Sequence, residues 1–225
     1  MPLLSVILPV YNEAKTIRQI LEKINSVNID KEVIVVDDGS SDGTDRILNE
    51  IQVDNLTIIH HTSNRGKGAA FLTGISHATG EYVIIQDADL EYNPADYLKL
   101  IAAIKDGSAD IVFGARFTKG YHGLLMPRLG NRFLAILMNA LFHTQLNDCF
   151  TCYKLTRREV FNAMRLKSTK FDMDIEVAAK ALKNKLKIME VPISYQPRNY
   201  SEGKKIRWAD GVQAIFAIIK YRFSD

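Results

Sequence analysis

Three acidic side chains stand at alternate positions in the stretch YVIIQDADLE, residues 82–91, where an apolar run ends. Asp87 and Asp89 lie two residues apart at the end of this predicted strand, so one turn can present both carboxylates to the same ion. Mg²⁺ takes one or two carboxylates and completes its shell with water and phosphate oxygens. Glu91 is placed to add a third contact. The stretch therefore predicts a magnesium site beside a phosphate, and a capped turn without a metal is the alternative.

The elements that must position these acids alternate between strands and helices. Apolar, β-branched runs typical of buried parallel strands are followed by segments with helical spacing of apolar residues. Asn12 is predicted to cap the first helix, residues 44–52 and 66–78 form the next two, and Pro94 begins the fourth. This order predicts an α/β fold, with a mostly parallel sheet and helices on both faces. The predicted strands of the first half cover residues 6–10, 32–38, 56–61, 82–89 and 110–116.

Polar segments follow three of these strands. They read YNE after the first strand, DDGSSDGT after the second and DADLE after the fourth. Ligands of parallel sheets bind beyond the carboxyl ends of the strands, so these segments are expected to meet at one edge of the sheet. The acids of residues 87–91 are therefore predicted to line a crevice rather than to enter the core.

Two further motifs suit nucleosides and phosphates. Asp38, at the end of the second strand, can accept hydrogen bonds from a base or a ribose, whereas Asp42 suits a turn. NRGKGAA places Arg65 and Lys67 before a helix, where cations and the helix N-terminus can bind an anion. A plain turn with solvated charges is the alternative for this motif. It lacks the full Walker pattern, which argues against a P-loop NTPase.

The second half of the chain has a different pattern. Residues 117–131 are glycine-rich and predict a loop, and residues 132–142 predict a helix that is apolar on nearly all sides. That helix is either buried or rests on a bilayer, and its apolarity does not decide between the two. The remaining predicted elements are a strand near 149–155, helices near 157–164 and 173–184, a strand at 187–195 and a helix near 209–222.

Composition and charge limit the classes of function. The chain has 225 residues, 47% hydrophobic and 24% charged, which is typical of an ordered globular protein, and its net charge of only +3 argues against nucleic-acid binding. Cys149 and Cys152 have the C-x-x-C spacing inside a predicted strand, so a structural role is favoured over a redox site. Two cysteines fit a reducing, cytosolic compartment. Neither a signal peptide nor a run of about 18 apolar residues is visible, which predicts a soluble or membrane-peripheral protein.

Successive motifs of the chain resemble those of the family-2 glycosyltransferases, the inverting group with the GT-A fold. VILPVYNE, VVDDGSSDGT, NRGKGAA and QDADLE are specific to that family. FGARF, DCFTCYK and VPISYQPRNYSEGKKI extend the resemblance over nearly the whole chain and are similar to the dolichyl- and polyprenyl-phosphate sugar transferases. The resemblance implies one GT-A domain over residues 1–225. Residues 1–116 would bind the nucleotide sugar, and residues 117–225 would form the acceptor side.

The resemblance also implies roles for single residues on the donor side. Mg²⁺ or Mn²⁺ on the diphosphate would be held by Asp87, Asp89 and Glu91. The segment SEGKK stands where the mannosyl transferases of the group have GESK, so the donor sugar and its base, GDP- or UDP-linked, stay open. The residues implied to bind the nucleotide sugar are Pro9, Tyr11, Glu13, Asp38, Lys67, Asp87, Ala88 and Arg198.

On the acceptor side, the resemblance implies that Arg116, Arg128 and Arg132 contact a polyprenyl phosphate at a membrane surface. Lys204 would close over the donor diphosphate, which makes Asp89, Arg116 and Lys204 the implied catalytic residues. The implied location is the cytosolic face of a membrane, to which the protein would bind peripherally.

Other acceptors and other classes of protein remain as alternatives. A lipid phosphate is already an anion and needs no strong general base, whereas a sugar hydroxyl of a glycan or glycolipid needs one, with Asp148 and Asp172 as candidates. A sugar nucleotidyltransferase would carry a glycine-rich basic segment after the first strand, where this chain has VYNE. A non-catalytic nucleotide-sugar-binding protein would not need the pair Asp87 and Asp89.

Overall fold

The computed structural model describes residues 1–117, 125–198 and 208–224. In this part of the chain seven strands form one sheet in the order β3-β2-β1-β4-β6-β5-β7. Strand β6 runs antiparallel to its neighbours β4 and β5, and the other pairings are parallel. The predicted α/β fold with a mostly parallel sheet is confirmed. The strands are β1 Leu4–Val10, β2 Lys31–Asp37, β3 Leu56–His60, β4 Tyr82–Ile85, β5 Ile111–Ala115, β6 Lys154–Arg157 and β7 Ile188–Pro192.

Helices flank the sheet because each of them buries one apolar face. In the first helix, for example, Ile17, Ile20 and Ile24 recur at helical spacing and are buried. Among the residues described, no helix combines the length and the apolar character needed to cross a bilayer. The helices are α1 Ile17–Ser26, α2 Thr44–Asn49, α3 Lys67–His77, α4 Tyr97–Lys105, α5 Leu125–Phe142, α6 Arg158–Met164, α7 Met173–Lys183 and α8 Trp208–Phe223, with a short 3-10 helix at Pro94–Asp96 before α4.

A close approach between α3 and β1 sets the position of the N-terminus of α3. A Cβ atom added to Gly74 would lie 2.4 Å from Cγ2 of Ile7, closer than any side chain can come. Only glycine allows this contact, because its missing side chain lets the helix lie directly on the strand. Lys67, the first residue of α3, is thereby held near the carboxyl ends of the parallel strands.

The predicted cap of the first helix is wrong. Helix α1 begins at Ile17 with Thr16 as its N-cap residue, and Asn12 lies outside it with a φ of 55°. The side chain of Asn12 instead accepts a hydrogen bond from the backbone N–H of Ser41 at 2.8 Å. A short-range capping signal was thus outweighed by a contact with the segment after β2.

Two predicted boundaries in the second half are also wrong. Strand β6 begins at Lys154 rather than near residue 149, because the preceding residues turn, with Cys149 and Cys152 both buried. Helix α5 begins at Leu125, inside the predicted glycine-rich loop. Gly130 lies in open space within this helix, where a glycine costs only about 1 kcal/mol relative to alanine.

Candidate functional site

The polar segments after β1, β2 and β4 meet at the carboxyl edge of the sheet, as predicted. The backbone N–H of Asn12 donates to Oγ of Ser40 at 2.9 Å, and the backbone N–H of Glu13 donates to Oγ1 of Thr44 at 3.0 Å. These bonds join the segment after β1 to the segment after β2. The fourth strand joins the same edge through its pairing with β1.

The guanidinium of Arg198 lies among three carboxylates of this edge. Its Nη2 is 3.0 Å from Oδ2 of Asp89, and its Nη1 is 3.4 Å from Oε2 of Glu13. The backbone N–H of Arg198 donates to Oε1 of Glu91 at 2.8 Å, and the Tyr195 hydroxyl donates to the other oxygen of Glu91 at 2.6 Å. The segment after β7 therefore supplies a cation to acids that come from two other strands.

The environment of Asp89 favours an additional positive charge. Burial, together with the nearby carboxylates of Asp87 and Glu91, raises the pKa of Asp89 to about 7, although Arg198 acts to lower it. Bringing like charges together in a buried site disfavours their ionised forms. A divalent cation at this position would relieve that repulsion.

The donor atoms of the site fit a hard divalent cation shared with a phosphate. Within the described residues, no three acid, histidine or cysteine side chains converge as a ready-made metal site. The pair Asp87 and Asp89 suits a Mg²⁺-like ion, which takes one or two carboxylates and completes its shell with water and phosphate oxygens. The role of Glu91 as a third ligand stays a prediction, since its carboxylate is bonded to Tyr195 and Arg198.

Lys67 holds the first acid of the D-x-D motif. Its Nζ is 2.8 Å from Oδ1 of Asp87 and 3.4 Å from Oδ2 of Asp174. Although burial alone would lower it, Asp174 and Asp87 hold the pKa of Lys67 well above its ordinary value. The ammonium is therefore charged and is shared between two carboxylates.

The anion expected before α3 is a side chain of the protein itself. The backbone N–H groups of Arg65 and Gly66 donate to the carboxylate of Asp38 at 2.9 and 2.7 Å. Nδ1 of His61 lies 2.7 Å from the same carboxylate, and Asp38 is buried. Donors at a helix N-terminus suit any anion, and here they fix Asp38. The contact of Asp38 with a base or ribose stays a prediction.

Other residues implied for the donor lie near the same edge. Pro9 is half-buried near the end of β1, Tyr11 is exposed just beyond it, and Ala88 is buried between the two aspartates of the D-x-D motif. Their contacts with a nucleotide sugar stay predictions. Lys204 lies outside the described residues, so its predicted catalytic role also stays a prediction.

Arg116, which follows β5, is partly buried, with 12% of its side chain exposed, and is bound by a carboxylate. Its Nε and Nη2 are each 2.8 Å from an oxygen of Asp148, and Nη2 also lies 3.4 Å from Oδ1 of Asn131 on α5. Burial would raise the pKa of Asp148, but Arg116 holds it below its ordinary value. The guanidinium carbon lies 5.3 Å from the ring centre of Tyr195. An acceptor phosphate would have to share Arg116 with Asp148.

Arg132 is exposed on α5 next to Asn131 in the sequence, and Arg128 is exposed on the same helix.

Three residues of this edge escaped the sequence prediction. Asp174 pairs with Lys67, Lys154 pairs with Asp174, and Tyr195 bonds to Glu91. A signal for Asp174 was present, since an acid falls among buried positions at the start of α7. A buried acid of this kind requires a cation. Neither lysine could have been assigned to it without the fold.

The sequence and the fold are similar to proteins that transfer sugars. Residues 5–165 match the model of the family described as Glycosyl transferase family 2. The chain is 29% identical over 215 residues to a polyprenol monophosphomannose synthase of Mycolicibacterium smegmatis, covering 88% of this chain and 79% of that protein. It is 27% identical to a UDP-N-acetylglucosamine–dolichyl-phosphate N-acetylglucosaminyltransferase of Methanococcus voltae, covering 96% and 95% of the two chains.

A similar fold occurs in a solved structure of glucosyl-3-phosphoglycerate synthase from Mycobacterium tuberculosis, in complex with Mn²⁺, UDP and phosphoglyceric acid. The TM-score is 0.76 at 18% identity, and the superposition covers 100% of this chain and 80% of that chain. At this level of identity the similarity establishes the GT-A fold and leaves the acceptor open.

Asp148→Asn is expected to lower the free energy of unfolding at neutral pH by about 3 to 5 kcal/mol, because the largely enclosed guanidinium of Arg116 loses its counter-charge. The pKa of Asp148 is lower in the folded protein than its ordinary value of 3.8. The stabilisation is therefore present above that value and is lost as the pH falls through the folded pKa. Denaturant unfolding of wild type and variant should show a gap that closes below about pH 4. Asp54→Asn, at an exposed site, is the control, and a gap that does not change with pH would contradict the assignment.

Proposed function

The chain belongs to glycosyl transferase family 2 and is a glycosyltransferase, and on that premise we propose that it moves a sugar from a nucleotide sugar to a polyprenyl phosphate. The observation that carries the acceptor class is an exposed apolar and basic surface on α5 and α8, next to the Arg116–Asp148 pair. The names of the relatives from Mycolicibacterium smegmatis and Methanococcus voltae support the same class. The base and the sugar of the donor are left open, because these two relatives are named for different sugars.

The donor diphosphate is proposed to lie at the acidic edge. Asp87 and Asp89 would hold Mg²⁺ or Mn²⁺, which when bound stabilises negative charge on the leaving diphosphate. Arg198 lies within reach of the same place and can exchange its carboxylate partners for phosphate oxygens, since guanidinium groups bind both bidentately. The ammonium of Lys67 keeps the carboxylate of Asp87 in place.

The proposed reaction is a single displacement with inversion. An oxygen of the acceptor phosphate forms a bond to the anomeric carbon, while the bond from that carbon to the diphosphate breaks and the nucleoside diphosphate leaves with the electron pair. No proton has to be removed from an ionised phosphate. The protein therefore has to hold the acceptor phosphate and the donor diphosphate in line and to stabilise negative charge on the leaving diphosphate.

The acids near the site fit an acceptor that needs no general base. Asp148 is held by Arg116, and Asp172 accepts hydrogen bonds from Tyr221 and Ser168. A base must reach the acceptor hydroxyl with a free lone pair. Asp89 has a pKa of about 7, as a base requires, but a bound cation would occupy its oxygens. These contacts favour a phosphate over a sugar hydroxyl.

The apolar surface consists of exposed side chains of α5 and α8, which pack against each other. Nε of Arg222 on α8 donates to the carbonyl of Leu141 on α5 at 2.7 Å, which ties the two helices together. Large apolar side chains in exposed rows mark a contact surface rather than a solvated one. The members of the apolar surface are Leu129, Phe133, Ile136, Val212, Phe216, Ile219 and Phe223.

The charge of these two helices favours an anionic lipid surface as the partner. They contain four basic residues, Arg128, Arg132, Lys220 and Arg222, and one acidic residue, Asp210. Basic residues beside an apolar helix face are typical of peripheral binding to anionic bilayers. Asn131 of α5 bonds to Arg116, so the helix that would touch the lipid also touches the predicted acceptor site. The cytosolic side of the membrane stays part of the proposal.

The metal assignment is tested by Asp89→Asn. We expect turnover with Mn²⁺ to fall roughly 100-fold, because one ligand charge is lost with little change in volume. The melting temperature should not fall, since the raised pKa of Asp89 shows that its ionised form is disfavoured in the folded protein. Asp45→Asn, on α2 and away from the cluster, is the control. Turnover close to that of the control would refute the metal role.

The acceptor is tested by offering labelled GDP- and UDP-sugars together with a short-chain polyprenyl phosphate, free sugars and glycosides. We expect label in the acid-labile lipid-phosphate fraction, and a rate of labelling roughly 100-fold lower when Asp89→Asn replaces the wild type. Label found only on a sugar hydroxyl would overturn the proposed acceptor. It would also require a general base that the contacts of Asp148 and Asp172 do not offer.

Membrane contact is tested by vesicle flotation. The wild type should float with vesicles that contain anionic lipid, and the pair Phe216→Ser with Phe223→Ser should weaken binding by tenfold or more, since each buried phenylalanine contributes roughly 1.5 to 3 kcal/mol. Leu98→Ser, at an exposed apolar position on α4, is the control. Equal flotation of the wild type and both variants would rule out this surface.

A further inference from the structure

A chain of four alternating charges lies beneath the D-x-D motif. It runs from Lys154 to Asp174, Lys67 and Asp87. Nζ of Lys154 is 3.3 Å from Oδ1 of Asp174, and Nζ of Lys67 is 3.4 Å from Oδ2 of the same residue. Lys67 then reaches Oδ1 of Asp87 at 2.8 Å. Two of the four members, Asp174 and Lys154, have no part in the proposed donor and acceptor contacts.

Burying the charged pair Lys154 and Asp174, at the inner end of this row of charges, costs the fold free energy. Lys154 is fully buried, and its Nζ also donates to the carbonyl of Thr151. Although burial opposes it, Lys154 and Lys67 hold the pKa of Asp174 below its ordinary value, so Asp174 is an anion between two cations. Buried ion pairs seldom stabilise a protein more than apolar residues of the same size would. The pair Lys67–Asp87 would be balanced without Asp174 and Lys154, so stability alone does not account for them.

We propose that Asp174 is a positioning residue for Asp87, and that it acts through Lys67. This inference rests on the proposed function, in which Asp87 and Asp89 hold a divalent cation on the donor diphosphate. By dividing the ammonium of Lys67 between two carboxylates, Asp174 keeps the side chain of Asp87 in place and leaves its charge available to the cation. Lys154 balances the charge of Asp174.

The physical basis is competition for the carboxylate of Asp87. Lys67 and the divalent cation are both attracted to it, and the protein interior weakens this attraction less than water does. With Asp174 present, the ammonium of Lys67 is shared between a contact of 2.8 Å with Asp87 and a contact of 3.4 Å with Asp174. Without Asp174, the whole charge of Lys67 would act on Asp87, and the cation would bind less tightly.

The test measures Mn²⁺ binding directly, by titration calorimetry in the presence of saturating UDP or GDP, whichever the wild type binds. Asp174→Asn is expected to raise the Kd for Mn²⁺ roughly tenfold, which corresponds to about 1.4 kcal/mol. Binding of the nucleoside without its diphosphate should not change. Glu176→Gln is the matched control, since Glu176 is a buried acid on the same helix whose carboxylate binds the backbone N–H groups of Lys167 and Ser168. It should keep the wild-type Kd for Mn²⁺.

Two further variants separate positioning from a role in folding. Asp174→Asn combined with Lys154→Met removes one charge of each sign, so the melting temperature should recover while the Kd for Mn²⁺ stays raised. Lys154→Met alone leaves Asp174 with Lys67, and its Kd for Mn²⁺ should equal or fall below that of the wild type. Recovery of Mn²⁺ affinity in the double variant would show that charge balance alone matters and would overturn the inference. If neither Asp174 variant folds, the four charges are needed for folding, and the inference is overturned as well.

The same titrations distinguish this inference from the proposed function. If the wild type binds the nucleoside diphosphate equally well with and without Mn²⁺, the proposed metal dependence fails, and the role of Asp174 fails with it. If the wild type requires Mn²⁺ and Asp174→Asn binds Mn²⁺ as the wild type does, only the positioning role is lost.

Discussion

The repulsion between carboxylates at one edge of the sheet is the constraint on which the site depends. A parallel sheet brings the carboxyl ends of its strands together, and in this chain those ends carry Glu13, Asp38, Asp87 and Asp89. Burial and neighbouring like charges disfavour an ionised carboxylate, and burial with the carboxylates of Asp87 and Glu91 raises the pKa of Asp89. The fold is therefore stable only if donors and cations reach this edge from other parts of the chain.

Each acid is stabilised by a different kind of contact, and these contacts differ in how easily a ligand could displace them. Asp38 accepts hydrogen bonds from backbone N–H groups, and these groups cannot move away without unfolding the start of α3. Asp87 is held by Lys67, which is itself anchored to Asp174. Asp89 is held by the side chain of Arg198, whose guanidinium makes longer contacts with Glu13. The proposed metal and diphosphate would then displace the contact with Arg198 most easily, and the other two would keep the edge in shape.

The sequence predicted those parts of the site that depend on local order. Strand periodicity and the rule for the carboxyl ends of parallel strands located Asp87, Asp89 and Glu13 at one edge, and the structure confirms it. The partners of these acids were beyond prediction, because Lys67 and Asp174 are 107 residues apart in the chain. The predicted cap at Asn12 failed for the same reason, since its real partner, Ser41, follows another strand.

The same network connects the two predicted halves of the molecule. Asn131 of α5 and Asp148 both contact Arg116, whose guanidinium lies against the ring of Tyr195. The hydroxyl of Tyr195 in turn donates to Glu91, at the end of the D-x-D segment. A phosphate that draws Arg116 away from Asp148 would therefore disturb Tyr195, and through it the carboxylates that face the donor. Contacts made by α5, the helix proposed to face the lipid, and contacts proposed for the donor diphosphate would thus share one set of side chains, which would make α5 part of the site and not merely an anchor beside it.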